Sequence, residues 1–452
     1  MIFAKVEEAP EAAELPATFR KKGQTRYSPF RNKRQFNDQR WRPKESVTHK
    51  RTSHVFLQPA ATRLRIFDIK NRRKLYTLVD LRDSIAPMKK RRYPLFIVLL
   101  VICAGMIFGA TPSRLSDSEF WKLATESSEE DGYFRSDNLL SNETTFQYVI
   151  PKVLSIAKPG RVYLGVGPEQ NFTYIAALKP SMAFIVDIRH GNFDVQLLYK
   201  ALFELSKDRV DFAFRLFSRT RPDELKSNAS VRELMGALQA SNGNRNVYEE
   251  NLKTIQDQLT KKHNFPLTDG DREGITWALS NYYKFGPGIN YGSSLSAGVP
   301  PEVVGVSNGR GGVNGATYES LMTADDGDNK NRSYLATEEN FQIMKDLESR
   351  NLIVPVVGDF GGTKALRAVA KYLHSVDGKV SAFYVSNVEQ FLQGSLWDNF
   401  CRSVRSMPID ETSMFIRSGR GNPYTVNSTG GNVQNSSAAV MQPELMCTEA
   451  AR

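Results

Sequence analysis

One stretch of the chain, residues 161–189, reads as a strand, a glycine turn, a helix and a second strand that ends in an acid. The turn contains Gly165 and Gly167, and the acid is Asp187, 22 residues after Gly165. Nucleotide-binding βαβ units separate a glycine turn from a ribose-binding acid by roughly 20 residues. Glycines let a ligand approach the backbone, and the helix N-terminus behind them favours anionic groups. The stretch therefore predicts a parallel α/β sheet with a ligand site at its edge.

The glycine turn departs from the full GxGxxG pattern, because Glu169 and Asn171 replace small residues. A carboxylate at position 169 repels a pyrophosphate, which argues against ordinary NAD binding. It is compatible with a nucleoside that carries little phosphate, such as S-adenosylmethionine. The alternative is that the glycines form only a tight strand-to-helix turn and that Asp187 only caps the end of a strand.

The net charge of +11 is unevenly distributed along the 452 residues. Residues 1–93 hold 24 Lys and Arg against 9 Asp and Glu, which leaves the rest of the chain with a net charge of −4. The protein is thus a basic arm, largely disordered by composition, on a mildly acidic body. The high isoelectric point says nothing about the body, and we expect no specific binding of nucleic acid.

Residues 93–113 carry no charge and are rich in aliphatic side chains, which predicts a membrane-spanning helix. Lys89, Lys90, Arg91 and Arg92 precede this segment, and a mostly acidic run follows it. The positive-inside rule places residues 1–92 in the cytoplasm. We therefore expect a single-pass membrane protein whose C-terminal domain is periplasmic or extracellular.

Two alternatives remain for the apolar segment. It is compatible with a buried core helix, although the basic flank and the absence of an amphipathic period oppose that interpretation. Alternatively, Met88 is the natural start and the segment is a secretory signal, in which case residues 1–87 are upstream sequence. The positions before a cleavage site are poor, because Phe108 is too large, so we favour an uncleaved anchor.

The cysteines and histidines predict little chemistry. Cys401 and Cys447 are able to pair if the domain is exported, although Cys447 lies in a polar tail. No Cys/His cluster has zinc spacing, and the sequence predicts no metal site. We expect His190, His263 and His374 to be surface residues.

Short apolar runs separated by helical segments predict a doubly wound, mostly parallel sheet. We place the α/β domain at residues 114–417, with an inserted helical and loop subdomain at 222–335 and a disordered tail at 418–452. A Gly/Ser-rich loop at 286–315 is expected to be mobile. The predicted strands are 161–165, 182–187, 352–357, 379–385 and 413–417.

Helical spacing of apolar residues predicts an amphipathic helix over residues 143–157, with Ser141 or Asn142 as its N-cap and a kink at Pro151. A longer helical pattern covers residues 193–217 as one helix or two. These helices would precede and follow the first βαβ unit.

A glycine loop after the first strand and an acid after the second resemble class I methyltransferases, over roughly residues 135–417. The resemblance implies a Rossmann-like fold, S-adenosylmethionine held by the first two motifs, and substrate-facing residues after the fourth strand. The phrases YLGVGPEQNFTYIA, AFIVDIR and PVVGDFGG also look like a bacterial domain family with exported or anchored N-termini. That second resemblance implies fold and boundaries but no reaction.

Ligands of open α/β sheets bind at the carboxyl ends of the strands. The residues that we expect to form a pocket there are Gly165, Gly167, Glu169, Asn171, Asp187, Arg189, Asp359, Ser386, Asn387, Glu389 and Asn142. Asn138 and Glu143 also precede the first strand and are expected to fold over the same edge. The alternative is that these polar residues only cap helices and turns.

Two functions follow from these observations. S-adenosylmethionine is a cytosolic cofactor, whereas the charge rule puts the domain outside. We therefore favour an exported, membrane-anchored domain that binds a small polar or nucleoside-like ligand. The alternative is an S-adenosylmethionine-dependent methyltransferase whose domain faces the cytosol.

Overall fold

The computed structural model describes residues 111–134, 136, 138–291, 293, 316–419, 435–443 and 447. The predicted basic arm lies outside the described residues, as do the predicted span up to residue 110 and most of the loop at 286–315. Among the helices that are described, none is both long and apolar enough to cross a bilayer.

A six-stranded, mostly parallel sheet forms the centre of the described domain. Its order is β3-β2-β1-β4-β5-β6, and only β6 runs antiparallel to its neighbour. The prediction of a mostly parallel α/β fold is confirmed, and the five predicted strands are found to within two residues. The strands are β1 Val162–Gly165, β2 Met182–Asp187, β3 Ile353–Val357, β4 Val380–Ser386, β5 Met414–Gly419 and β6 Asn435–Val440.

Helices cover both faces of this sheet. In the described ranges the α-helices are α1 Asp117–Ser127, α2 Ile150–Ile156, α3 Gln170–Leu178, α4 His190–Leu205, α5 Arg209–Leu216, α6 Val231–Ala240, α7 Arg245–Asp257, α8 Asp269–Phe285, α9 Tyr318–Thr323, α10 Glu338–Ser349, α11 Ala365–Ser375 and α12 Ser395–Arg405.

The right-handed crossover rule assigns these helices to the two faces. It puts α3 and α4 on one face, because they lead from β1 to β2 and from β2 to β3. It puts α11 and α12 on the other face, because the chain there moves in the opposite direction across the sheet.

The central strands are continuous apolar runs because both faces of the sheet are covered. Every residue of β1, β2 and β3 is buried, which is the pattern expected of parallel strands. At the outer side of β3, the backbone N–H of Glu129 donates to Val357 O at 2.8 Å, and the Val357 N–H donates to Ser128 Oγ at 2.9 Å. The segment after α1 therefore protects the β3 edge.

Two helices of the predicted insertion, α7 and α8, pack against the sheet-covering helix α4 rather than standing apart from it. The Tyr199 and Tyr282 hydroxyls, on α4 and α8, are 2.8 Å apart. Phe203 of α4 packs edge to face against Tyr334, with 6.0 Å between ring centroids. An aromatic core thus continues from α4 into residues 222–335.

Two predicted elements are wrong in part. Residues 143–157 do not form one kinked helix: a 3-10 turn at Phe146–Val149 precedes α2, and Pro151 lies in the first turn of α2. A proline there interrupts no helical hydrogen bond, because the first N–H groups of a helix have no intrahelical partner.

The disordered tail predicted for residues 418–452 is wrong for residues 418–419, which end β5, and for 435–440, which form β6. Cys447 is disulfide-bonded to Cys401 of α12. The C-terminal part of the chain is thus tied to the domain at two places, by a strand and by a covalent bond.

Candidate ligand-binding site

A cleft of about 90 Å³ opens at the carboxyl edge of the sheet. The strand order reverses between β1 and β4, so the crossovers leave these two strands in opposite directions and their loops separate. The cleft lies between those loops, lined by residues 166–168 after β1 and 386–388 after β4. Asp187 and Arg189 after β2 also line it. This is the location that the topology of an open parallel sheet predicts for a ligand.

Glu143 forms the floor of the cleft and is the most heavily hydrogen-bonded side chain there. Its Oε1 accepts from the hydroxyls of Tyr384 at 2.7 Å and Ser386 at 2.6 Å. Its Oε2 accepts from Gln170 Nε2 at 3.0 Å and the Ser436 hydroxyl at 3.1 Å. These donors come from β4, α3 and β6, and they occupy about four acceptor positions, which is close to the capacity of a carboxylate.

Asn171 shapes the glycine turn from inside the protein. Its Nδ2 donates to the carbonyls of residues 166–168 at 3.0, 3.2 and 2.7 Å, and its Oδ1 accepts from the Tyr163 hydroxyl at 2.9 Å. A Cβ at Gly165 would collide with that Oδ1, and Gly167 has a φ of +79°. Both glycines are therefore required by the turn, and only Gly167 lines the cleft.

Asp187 is paired with Arg189 at the wall of the cleft. Its Oδ1 accepts from the Arg189 backbone N–H at 3.0 Å and from Nε at 3.1 Å, and its Oδ2 accepts from Nη2 at 3.2 Å. Both side chains are more than 90% buried. The pair is internally neutralised, so Asp187 has little acceptor capacity left for the hydroxyls of a ligand.

Glu169 lies behind the glycine turn and does not line the cleft. It is buried, and this burial raises the pKa of its carboxyl to about 8. Its Oε1 accepts weakly from the Ser141 N–H at 3.4 Å, and Oε2 has no hydrogen-bond partner among the described residues. At neutral pH Glu169 is mostly protonated, so it does not repel an anion as its sequence position suggests.

The predicted residues Asp359 and Glu389 are directed to other partners. Asp359 Oδ1 accepts from the Gly361 N–H at 2.8 Å in the turn after β3. Glu389 accepts from Arg417 Nε at 2.6 Å and Nη2 at 3.0 Å. The cleft thus brings together six of the eleven predicted residues, which are Gly167, Asp187, Arg189, Ser386, Asn387 and Asn142.

Sequence reasoning missed the aromatic rim of the cleft. Phe134 and Phe391 meet edge to face with 5.6 Å between ring centroids, and Tyr291 also lines the opening. Tyr384 was assigned to a strand without a functional role, yet its hydroxyl reaches Glu143. These aromatics come from three separate parts of the chain, with Tyr384 and Phe391 in the same segment, and no local spacing marks them as one group.

Two of the three histidines differ from the surface role that we expected. His263 is buried, with Nδ1 2.8 Å from Asp117 Oδ1 and Nε2 2.6 Å from Glu204 Oε2, so the surface interpretation is wrong for it. His190 is half-buried, and its Nε2 lies 2.6 Å from Asp271 Oδ1. The side chains that lie within hydrogen-bond distance of these two histidines are distant in sequence, so no motif indicates them.

A family model described as a domain of unknown function, DUF7790, matches residues 139–275 and 313–444, which together exceed half of the chain. The chain belongs to this family. The DUF7790 match covers all six strands of the sheet and most of the loops that line the cleft, and it is interrupted at residues 276–312. No curated protein matches the chain.

Proposed function

We propose that this DUF7790 protein is a membrane-anchored, exported domain that binds a small, uncharged polar ligand in the cleft at the carboxyl edge of the sheet. The observation that carries the proposal is the position of the cleft, at the point where the strand order reverses. Residues from the loops after β1, β2 and β4 converge there, together with Asn142 and Glu143 from the segment before α2.

The chemistry of the cleft favours a neutral ligand. Glu143 and Asp187 are almost fully hydrogen-bonded already, so the groups that remain for a ligand are mainly amides. The lining amides are Asn138, Asn142 and Asn387. Asn138 Oδ1 is a buried acceptor with no hydrogen-bond partner in the described part of the chain, and a ligand donor would satisfy it.

The rim supplies the apolar half of the recognition. Phe134, Phe391 and Tyr291 present aromatic surface at the opening, against which a flat ring or the C–H face of a sugar packs well. A polar floor with an aromatic rim is the arrangement that suits a nucleoside or a monosaccharide. We therefore take these two classes as the first candidates.

The disulfide between Cys401 and Cys447 supports export. Structural disulfides persist in oxidising compartments and are rare in the cytosol. The predicted anchor at 93–113 and its basic flank also support export.

We expect a reporter enzyme that works only outside the cytoplasm to be active when fused after Arg452. Activity of a cytosolic reporter at that position, with none of the external one, would contradict the proposed topology.

The second candidate function is the methyltransferase that the sequence resemblance implies. Gly167 and Asp187 line the same cleft, as that resemblance requires. Arg189, however, already occupies three acceptor positions of Asp187. A cofactor that bound the acid through ribose hydroxyls would have to displace this arginine.

Calorimetric titration of the full chain separates these functions. The panel consists of nucleosides, monosaccharides, S-adenosylmethionine and S-adenosylhomocysteine. We expect a nucleoside or a sugar to bind, and Asn142→Ala to weaken that binding about tenfold, because it removes one hydrogen-bonding group. Asn228→Ala, at an exposed asparagine between α5 and α6, is the matched control.

The outcomes are distinct. Binding of only S-adenosylmethionine and its demethylated product would favour the methyltransferase. Binding that Asn142→Ala and Asn387→Ala both leave unchanged would remove the cleft from the proposal, and binding of none of the panel would contradict it. Asp187→Ala is a poorer test, because it leaves the buried Arg189 cation without its main partner.

A further inference from the structure

A second cluster of polar side chains lies beside the cleft, where α4 begins and α8 begins. His190 and Asp194 lie one turn apart on α4, and Asp271 lies in the first turn of α8. One ligand atom from each residue can be chosen so that all three atoms lie within 4.8 Å of one another. His190 directly follows Arg189 of the cleft wall, so the cluster lies at the same edge of the sheet.

Asp194 is the member of this cluster whose buried carboxylate is not fully hydrogen-bonded within the fold. The residue is only 3% exposed, and its Oδ1 makes no hydrogen bond within the described residues. The nearest cationic partner, His190 Nε2, is 3.7 Å away, which is beyond hydrogen-bond distance. An unpartnered buried carboxylate oxygen is costly unless a ligand or an ion satisfies it.

The other two members are oriented toward the same point. The Thr268 N–H and hydroxyl donate to Asp271 Oδ2 at 2.7 and 2.8 Å, which holds Asp271 Oδ1 toward His190. The His190 ring stacks on Phe193 with 5.3 Å between centroids. Such outer contacts fix the orientation of ligands around metal ions.

We propose that His190 Nε2, Asp194 Oδ1 and Asp271 Oδ1 bind a divalent transition-metal ion, with Zn²⁺ as the first candidate. Ligand atoms around a tetrahedral zinc ion are separated by roughly 3.4 Å, given bonds of about 2.0–2.2 Å. The 3.7 Å between His190 and Asp194 already fits this value. The 2.6 Å hydrogen bond between His190 and Asp271 opens to admit the ion.

The donor set selects the class of metal. One imidazole with two carboxylates suits Zn²⁺, Mn²⁺ or Co²⁺, whereas Ca²⁺ and Mg²⁺ prefer all-oxygen sites. Three protein ligands leave at least one position open, which is the arrangement of a catalytic rather than a structural zinc site. His190 is the exposed member, so the ion is reached from solvent on its side.

The test is a metal titration of the full chain after chelation and dialysis, with Zn²⁺, Mn²⁺ and Mg²⁺ in separate experiments. We expect Zn²⁺ to bind, Mn²⁺ to bind more weakly and Mg²⁺ not to bind. Asp194→Asn keeps the shape of the side chain and removes its charge, and His190→Gln changes a half-exposed residue, so both variants should fold. Each should weaken Zn²⁺ binding at least about tenfold.

Two matched variants separate this site from zinc held elsewhere on the chain. His374→Gln changes an exposed histidine at the end of α11, and Asp223→Asn changes an exposed acid, and both should bind Zn²⁺ as the unaltered chain does. Bound Co²⁺ should show visible d–d absorption that Asp194→Asn abolishes. The proposal is overturned if no Zn²⁺ binds, or if Asp194→Asn and His190→Gln bind it as tightly as the controls.

Discussion

At the scale of single residues, Glu169 shows that burial decides whether an acidic side chain carries a charge. Burial raises the pKa values of Tyr199, Tyr282, Tyr318 and Tyr334, and the negative charge that Glu169 carries once it has ionised raises them further. The Tyr318 and Tyr334 hydroxyls are hydrogen-bonded to each other, and the Tyr282 hydroxyl donates to Leu139 O at 2.6 Å, so none of these three hydroxyls needs Glu169 as a partner. An acid in such surroundings is retained in its neutral form.

We predict that Glu169→Gln stabilises the protein at neutral pH. The carboxyl ionises near 4.5 when unfolded and near 8 when folded. The folded state therefore binds the extra proton between these values, and the free energy of unfolding falls as pH rises through this window. Glutamine does not ionise, so the variant avoids this loss in the free energy of unfolding, which at pH 7 is on the order of 3 kcal/mol.

Chemical denaturation at pH 5, 7 and 8.5 measures this difference. It should be small at pH 5 and largest at pH 8.5. The exposed substitution Glu250→Gln is the control and should leave the pH dependence unchanged. Equal pH slopes for Glu169→Gln and the unaltered chain would show that Glu169 is ionised in the fold.

At the scale of elements, the apolar pattern of the sequence predicts the central strands. It does not predict the elements whose position depends on tertiary contacts. The parallel strands were found because burial on both faces makes them continuous apolar runs. β6 was missed because residues 435–440 read NSSAAV, which is polar, and its place at the sheet edge comes from pairing with β5. The cleft residues at the ends of β1, β2 and β4 follow from topology, whereas the aromatic residues of the rim and the cluster of His190, Asp194 and Asp271 meet only through folding.

The contact between α4 and α8 yields a prediction about glycine. A Cβ at Gly274 would collide with Asp194 Oδ2, and Asp194 is buried and unable to move aside. Gly274→Ala should therefore destabilise the protein by about 1–3 kcal/mol through overpacking. Gly236→Ala is the matched change in α6, where nothing lies within 4 Å of the added carbon.

Helix propensity alone favours alanine over glycine by about 1 kcal/mol, so Gly236→Ala should leave the protein equally or more stable. Urea denaturation of both variants gives the comparison. If the two substitutions had the same effect, the close approach of α4 and α8 would not be a feature of the folded protein.

At the scale of the whole molecule, the disulfide joins α12 to the segment after β6. It closes a loop whose ends are 46 residues apart in sequence. The loop contains the connection between β5 and β6, so the bond restricts the part of the chain that completes the sheet. Loops of this length give a disulfide a stabilising effect of about 2–4 kcal/mol.

We predict that Cys401→Ser with Cys447→Ser lowers the free energy of unfolding by that amount, and that reduction of the unaltered chain does the same. Since the chain has three cysteines, the unreduced, denatured protein should expose one reactive thiol. Cys103→Ser is the control and should leave stability unchanged while removing that thiol. Three reactive thiols in protein isolated without reductant would contradict the bond.

The hydrogen bond from Ser436 to Glu143 has a consequence for the order of events during synthesis. The two residues are 293 positions apart, and the serine lies on β6, which follows the other five strands of the described sheet in the chain. The Glu143 carboxylate therefore lacks one of its four donors until β6 has left the ribosome and, if the domain is exported, the translocation channel. A nascent chain that ends before β6 possesses the glycine turn and five parallel strands, yet Glu143 still has an empty acceptor position there, which is filled only when β6 pairs with β5.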